Sequence, residues 1–249
     1  MIGLQLLDTS ELPQSFIQSV RAQSRADADR AAWHAARLGK ITGSRFGVVK
    51  KTARGEWGET AESYLYELVG EWLTGQPSDS FTGSRATEWG NQHEADALRK
   101  YAERTGREVM PGKFFKAGSL RLVGGTPDGL IGVDGIVEAK CPYTPKNHIR
   151  TVLSGCVPPE YQDQVDGHLM LTGREWCDFV SYDPRIPDER IALAVVRVHR
   201  DEERIQNLLQ RLTDFETLLI ERLATLGVDI EKTTFKIEIE NESIPIGDD

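Results

Sequence analysis

A turn sequence between two short apolar runs in the middle of the chain constrains the fold more than any other feature. Leu130-Ile131 and Ile136-Val137 flank the segment Gly132-Val133-Asp134-Gly135. Short apolar runs on either side of a Gly- and Asp-containing segment are typical of a β-hairpin. We therefore predict two antiparallel strands, at 127–132 and 135–141.

The register of this hairpin decides which charged residues share a face. Asp134-Gly135 alone favours a two-residue turn. That turn would pair Ile131 with Glu138, and it would place Asp128 and Glu138 on opposite faces of the sheet. A three-residue connection from Gly132 to Asp134 would instead pair Asp128 with Glu138 on one face. We predict this odd-length connection, or a bulge there, because it brings the two carboxylates together.

The two acids and a following lysine have the chemistry of a metal-dependent phosphodiesterase. Asp128 and Glu138 offer hard oxygen ligands of the kind that Mg²⁺ prefers. A bound metal would neutralise a phosphate and activate a water. Lys140, two residues beyond Glu138, points to the same face and can orient that water. The alternative is a surface hairpin with scattered acids, because short motifs produce false positives.

The pattern along the rest of the chain predicts a layered α/β domain with the hairpin at its centre. Helices are expected at 11–38, 57–74, 86–105, 144–153, 159–172 and 201–226, together with a short one from Thr42 or Ser44 through Val49. Further strands are expected at 107–115, 120–124, 175–182 and 191–198. We expect one domain over 1–228 and an acidic C-terminal segment over 229–249.

The net charge and the apolar content of the chain limit the classes of protein to which it can belong. The chain has 249 residues and a formal net charge of −9, of which residues 229–249 carry −5 through seven acids and two lysines. This balance argues against indiscriminate nucleic-acid binding but allows a basic groove inside an acidic body. No apolar run approaches a membrane span, and we expect no signal peptide. Three cysteines without metal-site spacing indicate free thiols.

A second set of residues could bind phosphate. Arg37, Thr42 and Ser44 combine a guanidinium with two hydroxyls near a predicted helix start. Helix-start N–H groups and arginine both favour anions. The same hydroxyls could instead cap the helix. Four bases without an intervening acid follow, and they could contact DNA phosphates or form a solvated loop: Arg45, Lys50, Lys51 and Arg54.

Two predicted helices carry polar residues that could face the hairpin. Glu94, in 86–105, could complete a metal site, although a solvent-facing charge is the simpler interpretation for it alone. Gln164 and His168, in 159–172, are four residues apart and share a face. A solvent-exposed face is the alternative there. His93, next to Glu94, is interpreted as a packing or surface histidine.

Taken together, these segments resemble the lambda exonuclease-like viral recombinases, or alkaline exonucleases, of the restriction-endonuclease-like nuclease superfamily. The matching strings are ordered and span about 37–185: Arg37-Leu-Gly-Lys-Ile-Thr-Gly-Ser44, Trp89-Gly-x-x-x-Glu94, Gly-Gly-Thr-Pro-Asp128-Gly-Leu, Val-Glu138-Ala-Lys140-Cys-Pro, Tyr161-Gln-Asp-Gln164-Val and Phe179-Val-Ser-Tyr-Asp183-Pro-Arg185. The resemblance implies a restriction-endonuclease-like core, with a central mixed β-sheet flanked by helices.

The resemblance also implies a role for each matched residue. The metal ligands would be Asp128, Glu138 and the carbonyl of Ala139, with Glu94 directly or through a water. Lys140 would orient the water, and Gln164 would lie near the site. A terminal 5′-phosphate would bind Arg37, Ser44 and Thr126, and the DNA contacts would be Arg45, Arg54 and Lys146. Two Mg²⁺ per site are implied, with Mn²⁺ as a substitute.

The implied activity is 5′→3′ digestion of one strand of linear double-stranded DNA, leaving a 3′ single strand for annealing. The family resemblance further implies a ring-shaped homotrimer, a single-strand annealing protein as partner, and the cytoplasm of a bacterial host as location for a phage or prophage protein. One alternative is a structure- or sequence-specific endonuclease, which would need no 5′-phosphate pocket. The other is a DNA-binding assembly protein with a dead site.

The sequence departs from the family pattern at two places. Asp166 stands where a second glutamine is expected after Gln164-Val165. Thr87-Glu88 stands where relatives can carry an apolar wedge between the strands. The role of position 166 and the residue that separates the duplex are therefore open.

Overall fold

The computed structural model describes residues 32–78 and 84–233. One compact unit comprises Arg37–Lys236. The other comprises 1–36 and 237–249, of which the helical residues 32–36 are described. Most of the helix predicted at 11–38, and the end of the acidic segment, lie outside the described residues.

In the described part of the unit, two helices precede a run of five short strands, and two longer strands and four helices follow it. Strands are β1 (Ile41–Thr42), β2 (Met110–Pro111), β3 (Phe115–Lys116), β4 (Val123–Gly125), β5 (Gly129–Ile131), β6 (Gly135–Lys140), β7 (Trp176–Tyr182) and β8 (Leu193–His199). Helices are α1 (Glu59–Thr74), α2 (Arg85–Thr105), α3 (Pro145–Ser154), α4 (Pro159–Thr172), α5 (Glu189–Ala192) and α6 (Glu202–Thr225), with a 3-10 helix at Gly43–Val48.

Two sheets organise the unit. The larger has the order β2-β5-β6-β7-β8, and the smaller has the order β1-β4-β3. The β6–β7 pair is parallel, whereas β5–β6 and β7–β8 are antiparallel, so the larger sheet is mixed. Helix α2 packs on one face of this sheet, and α4 and α6 pack on the other. The predicted α/β fold, a central mixed sheet flanked by helices, is confirmed.

The hairpin has the predicted three-residue connection. Gly129 pairs with Val137, and Ile131 pairs with Gly135. Gly132 begins the connection with φ of 51°, a left-handed conformation that favours glycine. The same register, continued by one pair, opposes Asp128 to Glu138. The two carboxylates therefore lie at one end of the hairpin on one face, as the chemistry required.

Several predicted boundaries were wrong. The single strand expected at 107–115 is divided into β2 and β3, which belong to different sheets. Pro111 ends β2 because it cannot donate to a ladder, and Gly112 lies so close to the Pro127 carbonyl that a Cβ there would be 1.7 Å from it. The strand expected from 191 starts instead at Leu193, after the helical turn α5.

Apolar side chains pack against helices on both faces of β6. Ile136 and Phe179 pack towards α4 and α6, whereas Val137 and Val180 pack with α2. The predicted apolar stripe of α6 is buried at Ile205, Leu208, Leu212, Phe215 and Leu219. Among the helices that the structure describes, none has the length and apolar character needed to cross a bilayer.

Candidate active site

Glu138 is the centre of the candidate site. It lies on β6 and is fully buried. Lys140 Nζ donates to its Oε1 at 2.6 Å, Gln164 Nε2 donates to the same oxygen, and His168 Nδ1 lies 2.9 Å from Oε2. Burial alone would raise the pKa of Glu138, but Lys140 and His168 lower it to about 2. Glu138 is thus a buried carboxylate that stays charged.

Asp128 faces Glu138 from the other strand of the hairpin. It is half-buried, and its Oδ2 accepts a hydrogen bond of 2.7 Å from the backbone N–H of Ala139. Burial, and then the charge of Glu138, raise the pKa of Asp128 well above its ordinary value. Two carboxylates close enough to oppose each other's ionisation form a site that a cation would stabilise.

Lys140 shares the face of Glu138, as predicted from their two-residue spacing. Burial would lower the pKa of its ammonium, but the carboxylates of Glu138 and Asp128 raise it above its ordinary value. The ammonium also lies 5.5 Å from the centre of the Tyr161 ring. Lys140 is therefore a fixed, charged donor beside both carboxylates.

Glu94 reaches the site from α2. It is half-buried and lines a cavity of about 340 Å³ together with Ala139 and Lys140. Burial raises its pKa, the Lys140 charge lowers it, and the Glu138 charge raises it. Sequence interpretation of Glu94 alone favoured a solvent-facing charge, because the 3.6-residue period does not reveal that α2 packs against β6.

The donor set fits a hydrated divalent cation. Within the described ranges, no group of three or more His, Cys, Asp or Glu side chains is arranged closely enough to hold a metal by itself. Mg²⁺, however, usually binds one or two carboxylates and completes its shell with waters and substrate phosphate. Asp128, Glu138 and the Ala139 carbonyl would hold such an ion. Three carboxyl groups, counting Glu94, lie near the ammonium of Lys140, and the raised pKa values of Asp128 and Glu94 show that their ionisation is disfavoured while no cation is bound.

Arg37 and two hydroxyls form a second polar site. Arg37 is buried and donates to Thr42 Oγ1 at 3.1 Å and to Ser44 Oγ at 3.0 Å. Within the described chain, Thr42 is the N-cap residue of the 3-10 helix but makes no side-chain capping bond. The hydroxyls therefore hold the guanidinium, and the capping alternative is wrong. This group lines a cavity of about 300 Å³.

Thr126 follows β4, as Ser44 follows the paired strand β1. Strands β1 and β4 are parallel, with Thr42 paired to Gly124. Ser44 and Thr126 therefore both follow the carboxyl ends of strands at the same end of the small sheet. Thr126 Oγ1 is buried and has no hydrogen-bond partner among the described residues. Buried polar atoms are normally paired, so this hydroxyl is an exception among the described residues.

Most of the basic run at 45–54 is paired with acids. Arg45 binds Glu67 at 2.9 Å, and the Lys50–Asp163 and Lys51–Asp214 pairs are 3.3 and 2.7 Å apart. Arg54 is exposed and forms no ion pair with the part of the chain that the structure describes. Lys146 is exposed in the first turn of α3. Arg54 and Lys146 are therefore better placed for a polyanion than the paired bases.

Helix α4 contributes more to the site than the sequence interpretation assigned. Gln164 and His168 are both buried and both bind Glu138, so the solvent-face alternative is wrong. The spacing of four residues was the available signal for His168. Asp166, on the opposite face of α4, is buried and accepts two hydrogen bonds from Arg204 of α6, at 2.9 and 3.1 Å. It serves the packing of α4 on α6.

A larger cavity of about 780 Å³ lies away from these carboxylates. Residues of α2 and of the segment from Tyr182 to Leu193 line it, including Lys100, Glu103, Arg104 and Glu189. Size alone does not identify the functional cavity here. The pKa shifts of Lys100 and Glu189 in the larger cavity come from an exposed ion pair, whereas burial has the largest influence on the pKa values of Glu94 and Lys140 in the smaller one.

Known protein families and solved structures are similar to this chain. The family model described as YqaJ-like viral recombinase domain matches residues 32–175. An alkaline exonuclease (LHK-Exo) from Laribacter hongkongensis is 34% identical, with a TM-score of 0.72 over 79% of this chain and 95% of that chain. Its structure in complex with dAMP has a TM-score of 0.71, with the same identity and coverage.

A phage-related exonuclease from Haemophilus somnus 129PT is 18% identical, with a TM-score of 0.58 over 75% of this chain and 96% of that chain. At this identity the likeness shows a shared fold. The comparison with curated proteins gave no match.

Proposed function

Because the chain belongs to the YqaJ-like viral recombinase domain family, we propose that it is a Mg²⁺-dependent 5′→3′ exonuclease acting on linear double-stranded DNA. It would digest one strand and leave a 3′ overhang for recombination by strand annealing. The observation that carries this proposal is the hairpin register, which sets Asp128 and Glu138 on one face beside Lys140. The likeness to LHK-Exo, an alkaline exonuclease, supports the reaction class.

The residues of the site divide the work of phosphodiester hydrolysis. When bound, the divalent cation supplies charge neutralisation at the phosphate and a more acidic water. Asp128, Glu138 and the Ala139 carbonyl hold it, and Glu94 contributes directly or through a water. Lys140 donates a hydrogen bond that orients the attacking water. We propose two Mg²⁺ per site, with Mn²⁺ as a substitute.

The Arg37 site would determine the 5′→3′ direction of digestion. A terminal 5′-phosphate would bind the Arg37 guanidinium, the Ser44 hydroxyl and the unpaired hydroxyl of Thr126. Charge-assisted hydrogen bonds of this kind are about twice as strong as neutral ones. Thr87 lines both the Arg37 cavity and the Glu94 cavity, so the two sites are adjacent. A strand end held by its phosphate would thereby present the next phosphodiester to Lys140.

Binding of DNA by an acidic chain requires a local concentration of bases. We propose a homotrimeric ring whose inner wall carries Arg54 and Lys146, with Arg45 exchanging its partner Glu67 for a DNA phosphate. A 3′ overhang would then pass to a single-strand annealing protein. The number of phosphate contacts would appear as the slope of affinity against salt concentration.

The decisive experiment compares end-labelled linear duplex with closed circular duplex in the presence of Mg²⁺. We expect 5′-mononucleotides from linear DNA, an intact circle, and faster digestion of phosphorylated than of hydroxyl 5′ ends. Asp128→Asn should abolish digestion, and Asp134→Asn is its matched control, since Asp134 is an exposed acid at the other end of the same hairpin. Cleavage of the circle would instead favour the endonuclease alternative. If neither the linear nor the circular duplex is cleaved, the assembly-protein alternative is favoured.

A further inference from the structure

The His168 imidazole lies in a slot formed by the backbone of two glycines. His168 is buried on α4. A Cβ at Gly43 would lie 2.3 Å from its Nε2, and a Cβ at Gly125 would lie 2.9 Å from the same atom. A Cβ closer than 3.0 Å forces a neighbouring atom to shift, so a side chain at either position would displace the imidazole. The ring is thus held on the edge opposite to Glu138.

The other edge of the ring fixes the central carboxylate. Nδ1 lies 2.9 Å from Glu138 Oε2, whereas Lys140 and Gln164 donate to Oε1. Glu138 is ionised and can only accept hydrogen bonds, so Nδ1 carries the proton in this contact. His168 therefore fixes the position of Oε2, the Glu138 oxygen that Lys140 and Gln164 do not contact.

The slot is built from the segments that carry the Arg37 site. Gly43 stands between Thr42 and Ser44, whose hydroxyls bind Arg37. Gly125 precedes Thr126, whose hydroxyl is buried and unpaired among the described residues. One imidazole therefore contacts the backbone of both phosphate-site segments and the carboxylate of the metal site.

We propose that His168 is a positioning residue that sets the orientation of Glu138 and fixes its distance from the Arg37 site. This inference rests on the proposed function, because it assigns Glu138 to metal binding and Arg37 to phosphate binding. It predicts that loss of the Nδ1 contact changes metal affinity and kcat, while KM for DNA stays near the parent value.

Two amide variants of equal polarity test the contact. Asn places an amide near the position of Nδ1, whereas Gln places it near the position of Nε2. Calorimetric titration with Mn²⁺ should show a Kd about tenfold higher in His168→Gln than in the parent, as is typical when a group that orients a metal ligand is lost. His168→Asn should recover most of this loss, and kcat should follow the same order.

A second buried histidine, on α3, is the matched control. His148 is fully buried, and its ring contacts Ser181 Oγ at 2.9 Å and the Ile191 carbonyl at 2.8 Å. His148→Gln should lower the denaturation midpoint and leave the Mn²⁺ Kd unchanged. This variant separates a general loss of packing from a loss of carboxylate orientation.

The glycine slot is tested by a double mutant. Gly43→Ala should weaken Mn²⁺ binding by pushing on Nε2, and it should have little further effect in the His168→Asn background, where that atom is missing. Equal Mn²⁺ affinity in the parent and in His168→Gln, or additive losses in the double mutant, would overturn the inference. A parent that binds Mn²⁺ but does not digest DNA would instead overturn the proposed function alone.

Discussion

Replacing each hairpin carboxylate by its amide should change stability in opposite directions, although both variants should lose DNA cleavage. Glu138→Gln removes a buried charge that three donors stabilise. Asp128→Asn removes a charge that burial and its neighbour oppose. The two residues have the same proposed role, so the contrast isolates their different electrostatic surroundings.

The size of the Glu138 effect can be worked from its pKa. A folded value of about 2 against an ordinary 4.5 corresponds to about 3 kcal/mol in favour of the ionised form. Because the folded pKa is depressed, this stabilisation is present above pH 4.5 and is lost as the pH falls through about 2. With a urea m value of about 2 kcal/mol per molar, Glu138→Gln should lower the unfolding midpoint by about 1.5 M at pH 7.

The sign is reversed for Asp128. A carboxyl whose folded pKa is raised stabilises the fold below its ordinary pKa of 3.8, and this contribution is lost as the pH rises through the folded value. Asp128→Asn should therefore be at least as stable as the parent at pH 8. Its advantage should shrink towards zero as the pH falls to about 4.

Urea unfolding followed by tryptophan fluorescence, with EDTA present, measures both effects. A destabilisation of Asp128→Asn as large as that of Glu138→Gln at pH 8 would refute the reasoning. Added Mg²⁺ then provides an independent reading, because a ligand that binds only the folded state raises its stability. The parent should gain stability from Mg²⁺, and both amide variants should gain little.

Three further outcomes follow from the site. Lys140→Met should lower kcat by about 10²- to 10⁴-fold and leave Mn²⁺ binding measurable by calorimetry, as expected for a group that orients a water; unchanged kcat would remove Lys140 from the chemistry. Arg37→Gln should bring the rates on phosphorylated and hydroxyl 5′ ends together, and a persisting preference would place the phosphate site elsewhere. Arg54→Glu should shorten the tract digested per encounter more than Arg190→Glu, a charge reversal at a base paired with Asp188, and sedimentation should show a trimer; a monomer with long tracts would contradict the ring.

The register of the hairpin was predictable because metal binding needs Asp128 and Glu138 on one face. The turn residues alone favoured a two-residue loop, and the need to bring Asp128 and Glu138 together selected the three-residue connection that the structure contains. Longer helices were also predictable, since α1 and α6 carry apolar periodicity, and α1 and α4 end at the glycines Gly75 and Gly173. Local patterns of this kind report the face and ends of an element directly.

Contacts between distant segments were not predictable in the same way. Strand β1 has only two residues, and its parallel pairing with β4 depends on a segment some 80 residues later. The ion pairs of Arg45, Lys50 and Lys51 join them to acids on α1, α4 and α6. A run of bases without acids in sequence is therefore neutralised in space at three of its four members.

The departure at position 166 has a physical account in these same long-range contacts. Gln164 and His168 lie on the face of α4 that meets Glu138, so residue 166 projects towards α6. There Asp166 binds Arg204 with two charge-assisted hydrogen bonds and accepts a third from Gln162 at 3.1 Å. Because α6 packs against α4 through this pair, Asp166 supports the helix that supplies two of the three side-chain partners of Glu138. The aspartate thus acts on the site through the position of α4.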